Sequence, residues 1–377
     1  MYPAALLRVA AGLAVALWLA VGMAAAADLR VAAYSSGLAR KGPGLLLADI
    51  AGGKDAQVAA VVEVIAATRP DILLLLDFDY DMDGLAMRAL ADLLRARDLD
   101  YPYLFALKPN TGMRTGLDLD GDGRANGPRD AQGFGYFPGQ GGMALFSRYP
   151  VEAAGVRDFS GLLWAELPGA TQPQVDGRPF PSAEAQAVQR LSTTGHWVVP
   201  VRVGETTIRL LAFHATPPVF DGPEDRNGLR NRDELRLWTL FLDGALPGVP
   251  APDGPFVVLG NANLDPADGD GRSAAMAAFL ADPRLTDPMP RSEGGALAAA
   301  VQGGVNATHR GDPALDTADW DDAAPGDPGN LRVDYVLPSA DLTVTGAGVF
   351  WPADGPMAET VAAASRHRLV WVNLRLP

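Results

Sequence analysis

The chain has 377 residues, 48% hydrophobic and 20% charged, long and apolar enough for a large buried core, which excludes a disulfide-stapled miniprotein and a wholly disordered chain. Its net charge of -14 argues against holding nucleic acid through a generally basic surface. Cysteine is absent, which removes thiolate nucleophiles, disulfides and cysteine-ligated zinc and leaves the compartment unread by cysteine usage.

The first 27 residues have a leader's layout: Arg8, an apolar run from Val9 to Met23, then the small residues Ala24 to Ala27 before Asp28. The run is about 15 residues, short of the roughly 20 a spanning helix needs. The expectation is a cleaved signal peptide over 1–27, an exported protein, periplasmic or secreted, and no membrane span after cleavage.

Beyond it, Leu29 to Ser35, Asp71 to Leu76, Gly142 to Ser147, Trp197 to Val203, Thr207 to Phe213 and Phe256 to Leu259 are short apolar runs closed by turn residues, which predicts buried strands. Leu331 to Leu337, Leu342 to Phe350 and Leu369 to Leu376 extend the set. Asp55 is placed to cap a helix carrying Val58, Val61, Val62 and Ile65 on one stripe, closed by Pro70. Gly84 to Arg97, Arg230 to Leu246 and Ser273 to Ala281 repeat the helical pattern. In the third of these helices Trp238 and Phe241 fall in the apolar stripe and read as core, whereas Arg226, Arg230, Arg232 and Arg236 read as solvated charge. Strands and helices alternate without a strict βαβ rhythm, which favours two packed sheets with outer helices in one domain over 28–377. Polar, Gly/Pro/Asp-rich inserts are expected at about 108–140, 165–190 and 286–330.

Five separated strings then line up: Arg30 to Ser35, Asp71 to Asp77, Phe213-His214-Ala215-Thr216-Pro217, Gly260-Asn261-Ala262-Asn263 and Ser365-Arg366-His367-Arg368. Their order and strand-end placement resemble the endonuclease/exonuclease/phosphatase superfamily, to which pancreatic deoxyribonuclease belongs. Gly142 to Pro150 and Arg332-Val333-Asp334-Tyr335 resemble two further family strings. The resemblance implies a mixed α/β (α+β) fold, a four-layer α/β/β/α sandwich, and a metal-dependent phosphoester hydrolase, in particular a phosphodiesterase. Nucleic acid, nucleotide, phospholipid headgroup and sugar phosphate are all substrates compatible with it, long polyanions being disfavoured by net charge.

Carried over position by position, the resemblance implies catalytic roles for His214, Asn263, Asp334 and His367. Ser35 stands where the family has a first-strand asparagine, Asp77 where it has a metal-binding glutamate, Asn261 where it has the aspartate of Gly-Asp-x-Asn, and Arg366 where it has an aspartate beside the terminal histidine. The implied set is thus His214, Asn261, Asn263, Asp334 and His367 for catalysis, Ser35 and Arg366 for substrate, and Asp77 for a divalent metal, magnesium or manganese. With Asn261 and Arg366 the site loses carboxylate charge, so metal affinity is expected to fall and phosphate attraction to rise, Arg366 acting as a phosphate clamp and lowering the His367 pKa. The alternative is a catalytically degenerate module that binds a phosphorylated ligand or a protein through the old cleft.

Asp118, Asp120 and Asp122 followed by Gly123 reproduce the first half of a calcium loop, with Asn126 at position nine; Arg129 stands at position twelve, leaving Asp130 to supply the missing carboxylate. Asp265, Asp268 and Asp270 read as an ordinary acidic turn.

Overall fold

The computed structural model describes residues 28–324 and 326–376; the expected leader lies outside the described residues. In chain order the strands are β1 (Leu29–Ser35), β2 (Ile72–Phe78), β3 (Tyr103–Phe105), β4 (Gly142–Ser147), β5 (Arg157–Asp158), β6 (Gln174–Val175), β7 (Arg178–Pro179), β8 (Gly195–Val203), β9 (Thr206–His214), β10 (Phe256–Asn261), β11 (Ala318–Asp319), β12 (Asn330–Leu331), β13 (Asp334–Pro338), β14 (Thr343–Phe350) and β15 (Leu369–Arg375). The helices are α1 (Leu45–Gly52), α2 (Ala56–Thr68), α3 (Leu85–Arg95), α4 (Ala183–Val188), α5 (Arg226–Leu242), α6 (Ser273–Leu280), α7 (Glu293–Gln302) and α8 (Gly355–Ala364).

Two mixed sheets form the centre, ordered β14-β15-β1-β2-β4-β3 and β13-β10-β9-β8-β5. The two-residue alternation of a strand decides which layer each side chain serves. On β2, Ile72, Leu74 and Leu76 pack between the sheets, while Leu73 and Leu75 face the helices. A strand buried on both faces needs a continuous apolar run, as Ile72 to Leu76 supplies. On β9, Ile208, Leu210 and Ala212 enter the inter-sheet layer, and Leu211 and Phe213 pack outward with α5 and α6. Helices α1, α2, α3 and α8 cover the other sheet. The result is the expected four-layer α/β/β/α sandwich.

Local signals set several boundaries. The Asp55 carboxylate accepts from Val58 N at 2.8 Å and starts α2, as its spacing predicts. Trp238 and Phe241 of α5 are buried, also as expected. Arg230 departs from expectation: it is 6% exposed and donates to the carbonyls of Leu191, Gln132, Arg190 and Ser192, tying α5 to the loop before β8. Arg232 and Arg236 both pair with the buried Asp233. The inserts hold structure of their own, with α4 inside 165–190 and α7 inside 286–330. No helix among the described residues is long and apolar enough to cross a membrane.

Candidate active site

Strand direction gathers the site at one edge of the sandwich. Strands β1 and β2 are parallel, as are β9 and β10, so each pair ends on the same side. Their C-terminal ends carry Ser35, Asp77, His214 and Asn261. Strands β13 and β15 run antiparallel to β10 and β1, so their beginnings, with Asp334 and His367, reach that edge too. In the register, Asn261 is flanked by His214 on one side and Asp334 on the other. Ligands meet open sheets at strand ends for this reason: the backbone there is free to turn and present side chains.

Two backbone features sharpen the geometry. Asp77 sits at φ +55 in a bulge where the β2–β4 register shifts between Leu76 and Phe78, so it is left unpaired and re-aimed out of the sheet. Gly260 has φ +144, and a Cβ there would lie 1.9 Å from Phe213 O, so only glycine lets β9 and β10 meet before Asn261.

The polar groups are held in one network. Asp334 is fully buried; its Oδ1 accepts from Ser35 Oγ at 2.7 Å, and its Oδ2 accepts from Thr317 Oγ1 at 3.1 Å and bonds His367 Nδ1 at 2.7 Å. Asn261 Nδ2 donates to Ser35 Oγ at 3.3 Å, and its Oδ1 accepts from Asn263 N at 2.6 Å. Asn263 Nδ2 donates to Ala215 O at 2.8 Å, which steers the segment following His214. With Nδ1 engaged, His367 keeps Nε2 as its free ring nitrogen, and Trp320 meets the ring edge-on at 5.2 Å. Burial by itself pushes the His367 pKa down, but the charge and hydrogen bond of Asp334, helped by Asp77, outweigh burial and hold it above the ordinary value.

His214 differs. Its Nδ1 is buried with no hydrogen-bond partner among the described residues, and the nearest carboxylate oxygen, Asp77 Oδ1, is 4.0 Å away. A buried ring nitrogen left unpaired costs free energy unless something outside the chain fills the gap. Asp77, His214, Asn261, Asn263 and His367 all line a single cavity of about 780 Å³, while Ser35 and Asp334 lie beneath its floor.

The same geometry tests a divalent cation. Both Asp334 oxygens are taken by protein donors, so Asp77 is the carboxylate open to the cavity beside His214, and the Asn263 side-chain oxygen is the other neutral donor nearby. This set fits magnesium in the mode in which one or two carboxylates and a substrate phosphate complete a largely hydrated shell. It does not make a dedicated protein cage.

Two expectations need correction. Arg366 is outside the cavity: its side chain is 58% exposed and pairs at 3.6 Å with Asp321. Arg366 lies in the bend that precedes β15, where its side chain turns to solvent while His367 lines the cavity. The cation that depresses the His367 pKa is instead Arg368, which is buried against Asp319, and the net shift is upward. In the acidic loop, the carboxylates that converge are Asp118, Asp120 and Asp130; Asp122 turns away to accept from Arg124 N at 2.8 Å.

Sequence reasoning missed Thr317, whose Oγ1 accepts from Val333 N and Asp334 N while donating to Asp334. It also missed Glu234 of α5, fully buried, accepting from Thr193 N at 2.5 Å and Thr216 N at 2.7 Å and so clamping the chain on both flanks of the cavity. A lone Thr or helical Glu carries no sequence signal for either role. Asp265, expected in an ordinary turn, is 5% exposed and binds Ala267 N, Asp268 N and Arg332 N.

Next to it Asp316 is 7% exposed; burial, then Asp265, Asp268 and Asp312, push its carboxyl from 3.8 up to about 8. A folded pKa above the unfolded one means that the stability present below about pH 4 is lost as pH rises through about 8. The melting temperature is therefore expected to fall by a few degrees between about pH 5 and pH 9, and Asp316→Asn to flatten that fall. A wild-type melting temperature constant across this range contradicts the assignment.

Comparisons agree with this architecture. The profile of the Endonuclease/Exonuclease/phosphatase family matches residues 48–367, so the chain belongs to that family, whose members are generally metal-dependent phosphoester hydrolases. Among solved structures it is similar to an endonuclease/exonuclease/phosphatase from Beutenbergia cavernae, at TM-score 0.51 and 19% identity, covering 93% of this chain and 72% of that one. It is also similar to an endonuclease/exonuclease/phosphatase family protein from Leptotrichia buccalis, at TM-score 0.50 and 13% identity, covering 92% of this chain and 100% of that one. At these identities the likeness concerns the fold. No curated protein matches the chain.

Proposed function

We propose that the protein is an exported, metal-assisted phosphoester hydrolase, acting on phosphodiesters, whose site has been rebuilt around Asp77, His214, Asn263 and the Asp334–His367 pair. The observation that carries the reading is the buried, partnerless His214 Nδ1 facing Asp77 in the same cavity as His367. Export rests on the layout of residues 1–27. Asp77 would hold a divalent cation, which supplies neutralisation of charge on the phosphoryl oxygens. His214 binds a phosphoryl oxygen or the attacking water through Nδ1. Asn263 orients the same group through its free amide oxygen. Asp334 accepts from Nδ1–H, fixes the ring's orientation and favours the imidazolium form of His367, whose Nε2–H donates to the developing charge or the leaving oxygen. Ser35 and Thr317 hold the Asp334 carboxylate in place.

The test is hydrolysis of a chromogenic phosphodiester and a phosphomonoester with magnesium, manganese, calcium or chelator, for the wild type and Asp77→Asn. Expected is metal-dependent turnover of the diester that falls about a hundredfold or more in Asp77→Asn; equal rates in the two proteins contradict the role given to Asp77. The second reading, a degenerate binding module, is favoured by one observation: both oxygens of Asp334 are taken by protein donors, which leaves Asp77 as the open carboxylate beside His214. It predicts saturable binding of a phosphorylated ligand with no turnover under any metal.

The Asp118–Asp120–Asp130 loop is proposed as a weak structural calcium site separate from catalysis. Calcium is expected to raise the melting temperature of the wild type and not that of Asp118→Asn; identical responses contradict it.

A further inference from the structure

The cavity is far larger than a phosphoryl group needs, at about 780 Å³, and most of the surface it exposes is apolar, with Asp268, Asp270, Arg129 and Arg226 also in its lining. Pro217, Val219, Phe220, Leu264, Leu331 and Phe134 supply much of that apolar surface. Two of these expose large rings that a folded chain would ordinarily bury: Phe134 is 55% and Phe220 73% exposed. Phe220 is also held at φ +70, a left-handed conformation that a bulky aromatic residue rarely adopts. The strain is braced from α5, where Asn227 Nδ2 donates to Val219 O at 2.6 Å and Asn227 N donates to Asp221. Strain kept at a cavity mouth by surrounding bonds marks a position whose placement matters for something other than folding. Asp120, Asp221 and Glu224 share a neighbouring cavity with Phe220, and Arg129 and Arg226 line both cavities, so the apolar surface is bordered by charge.

We infer that the wall between Phe134 and Phe220 is a subsite for the organic part of the substrate, which is an apolar group, alkyl, acyl or aryl, esterified to the phosphoryl group held by His214 and His367. The inference rests on the phosphoester reading of the floor and deepens it by naming the substrate class. Continuity supports the assignment, since floor and wall belong to one cavity and an ester oxygen bridges them.

The test is calorimetric titration of the metal-loaded protein with methyl phosphate, hexyl phosphate and hexanol. Each methylene fully buried tightens binding by up to about fourfold, so hexyl phosphate is expected to bind at least about tenfold tighter than methyl phosphate, and hexanol far more weakly. The hexyl-to-methyl ratio should shrink to about threefold or less in Phe220→Ser and in Phe134→Ser, two exposed positions whose replacement leaves the core intact. Equal binding of the two phosphates, an unchanged ratio in both variants, or hexanol binding as well as hexyl phosphate overturns the inference. Co-sedimentation with phosphatidylcholine vesicles, lost in Phe220→Ser, would make the source a membrane phospholipid; hexyl phosphate binding without vesicle binding makes it a monomeric ester. Because titration needs no turnover, absent hydrolysis with retained ratios removes the enzymatic reading and leaves the subsite standing.

Discussion

His367→Ala is expected to lower kcat for the proposed phosphodiester hydrolysis by about two to four orders of magnitude, the usual contribution of a positioned proton donor, while leaving KM nearly unchanged. The reason is geometric: Nδ1 is bound to Asp334 at 2.7 Å and the free Nε2 belongs to a ring that lines the cavity. Asp334→Asn should cost a comparable factor, because an amide can present its N–H to Nδ1 and so favour the wrong tautomer. Circular dichroism separates this from unfolding, since Ser35 Oγ can still donate to the remaining amide oxygen. A loss in His367→Ala below about threefold would mean that the ring only fills space beside Trp320.

The second large effect concerns folding. Glu234→Ala is expected to destabilise the protein by about 3–5 kcal/mol, because it leaves the buried Arg230 without its nearby carboxylate and two buried amides, Thr193 N and Thr216 N, without acceptors. The melting temperature should fall on the order of 10 °C. Burial pushes the Glu234 carboxyl up, to about 7, against Arg230 and the two amides, which act to lower it. The folded pKa lies above the unfolded one, so this group, like Asp316, contributes stability that is lost as pH rises from about 4.5 through about 7. Glu234→Gln keeps an acceptor for one amide and should lose less, with a flatter pH profile. Denaturant melts at two pH values check both; an alanine variant as stable as the wild type contradicts the clamp.

Much of this fold is legible because its signals are local. Ile72 to Leu76 reads as a doubly buried strand from its composition, and Asp55 marks a helix start that needs no distant partner. The site was legible where strand ends carry distinctive polar residues, so that His214, Asn261, Asn263, Asp334 and His367 meet as their order suggests. What escaped depends on long-range contacts. Arg230 reads as solvent-facing on a helix, yet its acceptors lie 38 to 98 residues away in sequence. Helix α7 begins with Gly294 and Gly295 pressed against Trp351 and Pro313, where added side chains would clash, and a Gly/Ala-rich stretch shows no stripe to count. Arg366 shows the opposite failure, since in the bend before β15 adjacency to His367 in sequence does not bring its side chain into the cavity.

The most direct measurement is the rate of phosphodiester hydrolysis by the wild type and His214→Ala, in magnesium and in chelator. Nδ1 of His214 is the one site nitrogen buried without a partner among the described residues, and it lies 4.0 Å from Asp77 Oδ1 in a ring that lines the cavity. The account predicts magnesium-dependent turnover that drops by about a hundredfold or more in the variant. Identical rates in the two proteins, or no turnover by the wild type in any metal, would contradict it.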